Sequence, residues 1–205
     1  MKSLFIDTTY DISLGILNEN WAWDEFETFN AKKASEIIQS QTHELLVKSK
    51  TNISEIENVF SVAGPGFYTG LRLSEGFSDV LTFSGKKAYS FYAYHIPKLL
   101  GVTEGLWGTK AYRGEYFFHQ WGPKESKNIL LSAKEVKEFS ETFSHLEFFI
   151  HCDSAIDELM RDCFQIKSKT VELLKANPEK VFPQINEKVD SFYFRAPEDE
   201  FKVNP

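Results

Sequence analysis

Near the N-terminus apolar and polar positions change places every few residues; further along, the apolar positions recur at helical spacing. Leu4–Ile6 and Ile12–Leu17 read as strands, and Asn18-Glu19-Asn20 turns the second. Trp21–Phe29 alternates well enough for a third strand, so the chain opens with a meander. From Ala34 to Lys50 the apolar positions Ala34, Ile37, Ile38, Leu45 and Leu46 share one broad helical stripe, interrupted by Gln41 and Thr42. A stripe that is partly polar suits a helix over a core edge, and it also suits a surface that meets a partner. Ser54-Glu55-Ile56-Glu57 matches a capping box and predicts a short helical turn. The apolar run Val59–Ala63 then reads as a strand, followed by the glycine-rich stretch Gly64–Arg72. Leu73, Gly76, Phe77, Val80 and Leu81 continue at helical spacing to a stop near Gly85. Lys87–Tyr92 is a further strand and His95–Leu100 a short helix.

The character changes near Gly101. Leu106–Tyr112 and Glu115–Trp121 read as two strands of a hairpin joined by Arg113-Gly114. Ser132–Phe139 predicts a helix capped by Ser132, with Glu135 completing the box. Glu147–Cys152 is a strand, Asp153–Phe164 is helical, and Thr170–Ala176 is a last helix that Asn177-Pro178 stops. Ser191–Arg195 reads as a terminal aromatic strand. The pattern is mixed α/β, with meanders feeding helices in two similar halves, the second shorter.

With 205 residues the chain can bury a real core. No apolar run approaches membrane-spanning length, and Met1–Asp7 is too short and too polar for a signal peptide, so a cytoplasmic protein without membrane contact is expected. Cys152 and Cys163 match neither a CxxC pair nor a zinc pattern and read as reduced and structural. The formal net charge of −7 suits a phosphate backbone poorly, so any work on nucleic acid would lean on a partner.

Three glycines and a proline lie within the seven residues Gly64, Pro65, Gly66, Phe67, Tyr68, Thr69 and Gly70, which is a backbone requirement. Standing between a strand and a helix, with Thr69 available as cap, the turn could hold an anion at the helix N-terminus. It could equally be a tight elbow for close packing. No Gly-Lys-Ser/Thr follows, so it is not a Walker loop. Asp7, Thr8 and Thr9 end the first strand; they are candidates for a metal–phosphate site, with an Asx-type turn the favoured reading. Arg72 could hold a phosphate, although a surface role or an ion pair is the simpler expectation. His43, His95, His119, His145 and His151 contain no i, i+3 or i, i+4 pair, so no helical metal site is expected. No GxSxG elbow is present and no serine carries a nucleophile signature. No complete catalytic set emerges.

Four stretches in order resemble the TsaB (YeaZ) family. Asp7-Thr8-Thr9 looks like its opening Asp-Thr motif, and Gly64–Arg72 like its hallmark Gly-Pro-Gly-Ser-Phe-Thr-Gly-Leu-Arg. Ala111-Tyr112-Arg113-Gly114-Glu115-Tyr116 looks like its Arg-Arg-Gly-Glu hairpin, and Phe192-Tyr193-Phe194-Arg195 like its closing Val-Tyr-Leu-Arg. Phe67-Tyr68 stand where the family has Ser-Phe, Lys110 replaces the hairpin aspartate, and Ala34-Ser35 replaces a usual His-Ser. His151-Cys152-Asp153-Ser154 replaces a glycine-rich turn that approaches adenosine in related ATPases, which weakens the case for nucleotide in this chain's own cleft.

The resemblance implies an actin-like ATPase fold of two ribonuclease-H-like subdomains, the second reduced, over residues 1–100 and 101–205. It implies a noncatalytic subunit that binds and activates TsaD, a homologous catalytic partner that transfers threonylcarbamoyl to a tRNA adenosine, with the ATPase TsaE joining the complex. No cofactor is expected in the isolated chain; nucleotide at a joint surface with the partner, tRNA reached through the complex, and a homodimer of the lone chain stay open. The family's partner contact maps here to Ala34–Lys50 and Thr69–Ser84, with Ile37, Ile38, Leu73, Gly76, Phe77, Val80 and Leu81 as the expected interface, the stripe being shared with the core. The competing expectation is an ATPase or small-molecule kinase using Asp7 and Gly64–Gly70 on phosphate, with a peptidase ranked last.

Overall fold

The computed structural model describes residues 1–29 and 34–194. The N-terminal meander forms as expected: β1 (Lys2–Asp7), β2 (Ile12–Leu17) and β3 (Trp23–Phe29) are consecutive antiparallel strands. Helix α1 (Ala34–Lys48) then crosses over to β4 (Ile56–Val62), parallel to β1. Helix α2 (Tyr68–Phe83) crosses over to β5 (Lys87–Phe91), parallel to β4, giving the order β3-β2-β1-β4-β5. The short helix α3 (Ile96–Leu99) leads to the second half.

That half repeats the plan with β6 (Gly105–Lys110), β7 (Glu115–Trp121), β8 (Ser126–Ser132), α4 (Ala133–Thr142), β9 (Phe148–Ile150), α5 (Glu158–Cys163) and β10 (Ile166–Lys169). Its sheet order, β8-β7-β6-β9-β10, is the order of the first sheet. Its crossover helices have 10 and 6 residues against 15 and 16 in the first half, which is the reduction the sequence suggests.

Strand periodicity builds three cores. In β1, Leu4 and Ile6 face one side and join Leu14, Ile16, Val59, Ile38 and Leu45 beneath α1 and α2. Phe5, between them, faces the other way and joins Phe60, Phe91, Trp107, Phe117 and Phe149 in a layer between the two sheets. Phe118, Phe148 and Ile150 pack under α4 and α5. The chain then returns: α6 (Thr170–Ala176), α7 (Pro178–Val181) and the turn Phe182–Gln184 lie in the middle layer. The Phe182 ring, fully buried, lies 5.8 Å from Phe5, 5.4 Å from Trp23 and 5.0 Å from Phe60. Burial of a side chain this size stabilises by about 1.5–3 kcal/mol before its edge-on ring contacts are counted.

Several local expectations change. The box before β4 belongs to Asn52 and Glu55: Asn52 Oδ1 accepts from Ser54 N and Glu55 Oε1 accepts from Asn52 N. Ser54 therefore sits inside the turn, and Ile56 is already strand. Helix α2 begins one residue early, with extended Phe67 at the cap position, because Phe67 N already donates to Thr9 O at 3.0 Å. Thr69 consequently lies in the first turn, exposed, and caps nothing. The helix expected over 153–164 breaks into a turn at Asp153–Ala155 and α5, whose cap is Asp157. Pro178 stops α6 and opens α7, its fixed φ suiting a first turn. Two strands, β8 and β10, escape the sequence reading; Ser126–Ser132 has polar residues at four of its five exposed positions and looks like a loop. The stretch from Ser191 is irregular rather than strand, although Phe192 N bonds Ala63 O at 2.7 Å; Arg195 lies outside the described residues.

Candidate functional site

Two surfaces collect the residues singled out in the sequence. The first is where the β1–β2 turn meets the glycine elbow and the second half. Asp7 is 1% exposed. Its Oδ1 accepts from Thr9 N at 2.9 Å and Thr9 Oγ1 at 2.7 Å, closing an Asx turn. Its Oδ2 lies 2.7 Å from His151 Nε2, and His151 Nδ1 is 3.0 Å from the Thr170 hydroxyl. Both carboxylate oxygens are thus engaged within the protein, in a buried line from β1 through the turn after β9 to the start of α6. Tyr10, next along, reaches the Thr109 hydroxyl, and Ser154 Oγ donates to Asp11 Oδ2 at 2.8 Å. Burial holds the Tyr10 hydroxyl far above its ordinary range, against the lowering effect of its bond to Thr109. Burial likewise pushes the Cys152 thiol up to about 11. Cys152 and Cys163 are free thiols.

The elbow glycines are filled from the same turn. A Cβ on Gly66 would stand 2.6 Å from Thr9 Cβ, and one on Gly70 would overlap the Thr8 carbonyl. Thr8 Oγ1 donates to Gly70 O at 2.6 Å. Gly64 has φ +111°, and a Cβ there would meet Phe192 O at 2.8 Å. The room the glycines create is therefore occupied by Thr8, Thr9 and Phe192, which is the work of an elbow. Arg72 pairs with Glu75 at 3.1 Å and lies 5.5 Å over the rings of both Tyr68 and Tyr193. Next to Asp11 and Cys152 a cavity of about 270 Å³ is lined also by Asp153, Lys169, Glu172 and Lys175, with Lys169 tied to Asp153 and Glu172. A larger one, about 670 Å³, opens among Phe143, Phe148 and Phe164, with His145 and Cys163 in its lining and none of the expected interface or elbow residues. Among the described residues no group of three or more His, Cys, Asp or Glu is placed to hold a metal.

The second surface is the outer side of α1 and α2. Ile38, 2% exposed, is wholly committed to the core beneath and has no area left for a partner. Ile37, Leu73, Phe77 and Leu81 are half-buried against that same core. Small residues, Ser74 and Ser78, are what α2 turns toward the sheet, together with Leu71. Gly76 is exposed with open space above it, and Val80 is 66% exposed. Val47 on α1, at 63%, and Phe83 at the end of α2, at 94%, are further exposed apolar side chains, and the sequence reading missed both. Their signal was present: 76, 80 and 83 form an i, i+4, i+7 stripe beside the 73–77–81 stripe. His151 was missed for another reason, since only the fold brings it across 144 residues to Asp7.

No family model matches the chain, and no curated protein matches its sequence significantly. Solved structures do match in shape. A Pseudomonas aeruginosa protein described as uncharacterized with similarity to the peptidase YEAZ superposes with a TM-score of 0.63 at 14% identity, over 95% of this chain and 99% of that one. YeaZ from Pseudomonas aeruginosa gives 0.62 at 14% identity, over 91% and 96%. The ethanolamine utilization protein EutJ from Carboxydothermus hydrogenoformans gives 0.51 at 13%, over 88% and 89%. No helix among the described residues is long and apolar enough to cross a membrane. At these identities the likeness speaks for architecture alone, and with two five-stranded sheets of one order the chain has a YeaZ-like α/β fold.

Proposed function

We propose that the chain is a scaffold subunit that carries out no step of threonylcarbamoyl transfer to tRNA adenosine itself, docking through α1 and α2 onto a TsaD-like homologue and activating it. The observation that carries the reading is that Val47, Val80 and Phe83 are apolar and solvent-facing on two helices already packed on their own sheet. Gly76, with nothing above it, lets a second helix approach closely, as in a four-helix contact. The fold likeness to YeaZ and the family-like elbow support a partner of that class. The ATPase or kinase reading needs Asp7 free to meet a metal–phosphate, and Asp7 already accepts three hydrogen bonds inside the protein. A TsaE-like ATPase and tRNA would then be met through the assembled complex, in the cytoplasm.

The test is co-expression with a TsaD-like homologue followed by size-exclusion chromatography and tRNA modification assays. A shared peak is expected, weakened at least tenfold in affinity by Val80→Glu with unchanged circular dichroism. Phe77→Glu, half-buried, is expected to disturb folding instead. Separate elution of the wild-type chains, with normal modification in a deletion strain, sinks the proposal.

A further inference from the structure

The hairpin of β7 and β8 builds a second polar cluster, in the second half of the chain. Its register sets His119 directly opposite Asn128 and Trp121 opposite Ser126, so that all four side chains share one face. His119 Nδ1 lies 2.7 Å from Asn128 Oδ1, and His119 Nε2 lies 3.2 Å from Ser126 Oγ. An amide oxygen only accepts, so Nδ1 carries the proton and the Nε2 lone pair faces the serine hydroxyl. The ring is stacked 3.9 Å from Tyr94 and 6.1 Å from Trp121, and His119 is 5% exposed. Ser126, by contrast, is exposed. Lys98, from α3, sets its ammonium 3.3 Å from Ser126 Oγ and 3.3 Å from His119 Nε2, over the Trp121 ring. Burial, aided by the Lys98 charge, keeps His119 neutral at physiological pH with a pKa pushed down to about 4. The other titratable groups facing the ring are Tyr94 and His95.

We propose that Ser126, His119 and Asn128 form a nucleophile–base–orienter set that takes acyl groups from small, unhindered esters, with Lys98 as its electrostatic support. The arrangement satisfies the geometric roles of a serine triad: a hydroxyl within reach of a base, and the base locked in one tautomer by a third group. In the first step the Ser126 Oγ–acyl carbon bond forms, the carbonyl pair moves to oxygen, and the hydroxyl proton passes to His119 Nε2. Collapse breaks the bond to the leaving alkoxide, which takes that proton. Water then repeats the sequence on the acyl-serine, releasing the acid and restoring Ser126. The Lys98 N–H that lies on Nε2 at rest turns to the oxyanion in this step, which frees the Nε2 lone pair for the serine proton. An exposed serine at a hairpin start meets small acyl groups and gives extended substrates little to hold. Asn128 is the positioning residue.

The chain is treated with a fluorophosphonate probe and mapped by mass spectrometry, and p-nitrophenyl acetate turnover is measured in parallel. The label is expected on Ser126. Ser126→Ala, an exposed change that leaves circular dichroism unaltered, should abolish both the label and the saturable turnover. His119→Gln should lower kcat about 100-fold, the low end for a lost general base. Asn128→Ala should lower kcat with KM unchanged, a split that loss of a merely structural contact would not give. Absence of label on Ser126, or turnover equal to wild type in Ser126→Ala, overturns the proposal whatever the histidine variant does.

Discussion

Gly70 and Gly76 sit in one helix, six positions apart, and the structure gives the same substitution opposite signs at the two. A Cβ at Gly76 meets nothing within 4 Å, so Gly76→Ala gains only the helix preference of alanine, about 1 kcal/mol. A Cβ at Gly70 overlaps the carbonyl of Thr8, which is main chain. That carbonyl has little freedom: Thr8 Oγ1 is bonded to Gly70 O at 2.6 Å, and Phe67 N holds Thr9 O at 3.0 Å. Relief requires the β1–β2 turn to move, and with it Asp7 and its bond to His151. Overpacking of this kind costs roughly 3 kcal/mol at the upper end of its usual range. Set against the same helix gain of about 1 kcal/mol, Gly70→Ala should lose about 2 kcal/mol net. The two variants should then differ by about 3 kcal/mol, or roughly 6–12 °C in Tm for a chain this long. Thermal unfolding followed by circular dichroism measures the gap, and urea unfolding checks it independently. Equal stabilities, or a Gly70→Ala protein at least as stable as wild type, would refute the elbow argument, because the glycine would then be spacing nothing. The Gly76→Ala protein carries a second reading: more stable alone, it should bind a docking helix less well, since its methyl stands where that helix must approach.

Phe182→Ala removes the ring that ties the returning chain to the first sheet and should cost about 3–5 kcal/mol, read from urea unfolding; a cost under 1 kcal/mol would mean the layer repacks around it. His151→Ala leaves Asp7 short of one donor in a buried place and should cost about 1.5–3 kcal/mol; a neutral result would show the buried line to be dispensable. His95 and His119 are both pushed down to about 4 by burial, with the Lys98 charge adding to it. The unfolded chain protonates them near the ordinary value of about 6.5 while the folded chain does not, so their contribution is complete above that pH and is lost as pH falls toward 4. His95→Gln should therefore flatten the fall of Tm between pH 6.5 and about 4, and an unaltered slope counts against it. Cys152, buried and with its thiol raised to about 11, should resist iodoacetamide until the chain unfolds.

The strands and long helices were legible because their burial is local in origin. Leu4, Phe5 and Ile6 alternate, Leu73, Phe77 and Leu81 recur at helical spacing, and each pattern names its own buried face. The elbow was legible too, since only glycine tolerates the crowding at Gly66 and Gly70, and the Ser132–Glu135 box marked the start of α4. What escaped depends on pairing between distant segments. β8 has an exposed, polar sequence and exists because β7 supplies its hydrogen-bond partners. That same pairing places Asn128 and Ser126 on His119, which no spacing along the chain announces. Asp7 carried two readings, a phosphate site or a turn, and the arrival of His151 from the second half is what engaged its remaining oxygen. Periodicity thus determined which residues are inside, because burial is written every two or three to four positions. Which buried and polar groups touch was decided by how the two repeated sheets close on each other, since contact across a hundred residues is a property of the assembled surfaces and of no single stretch.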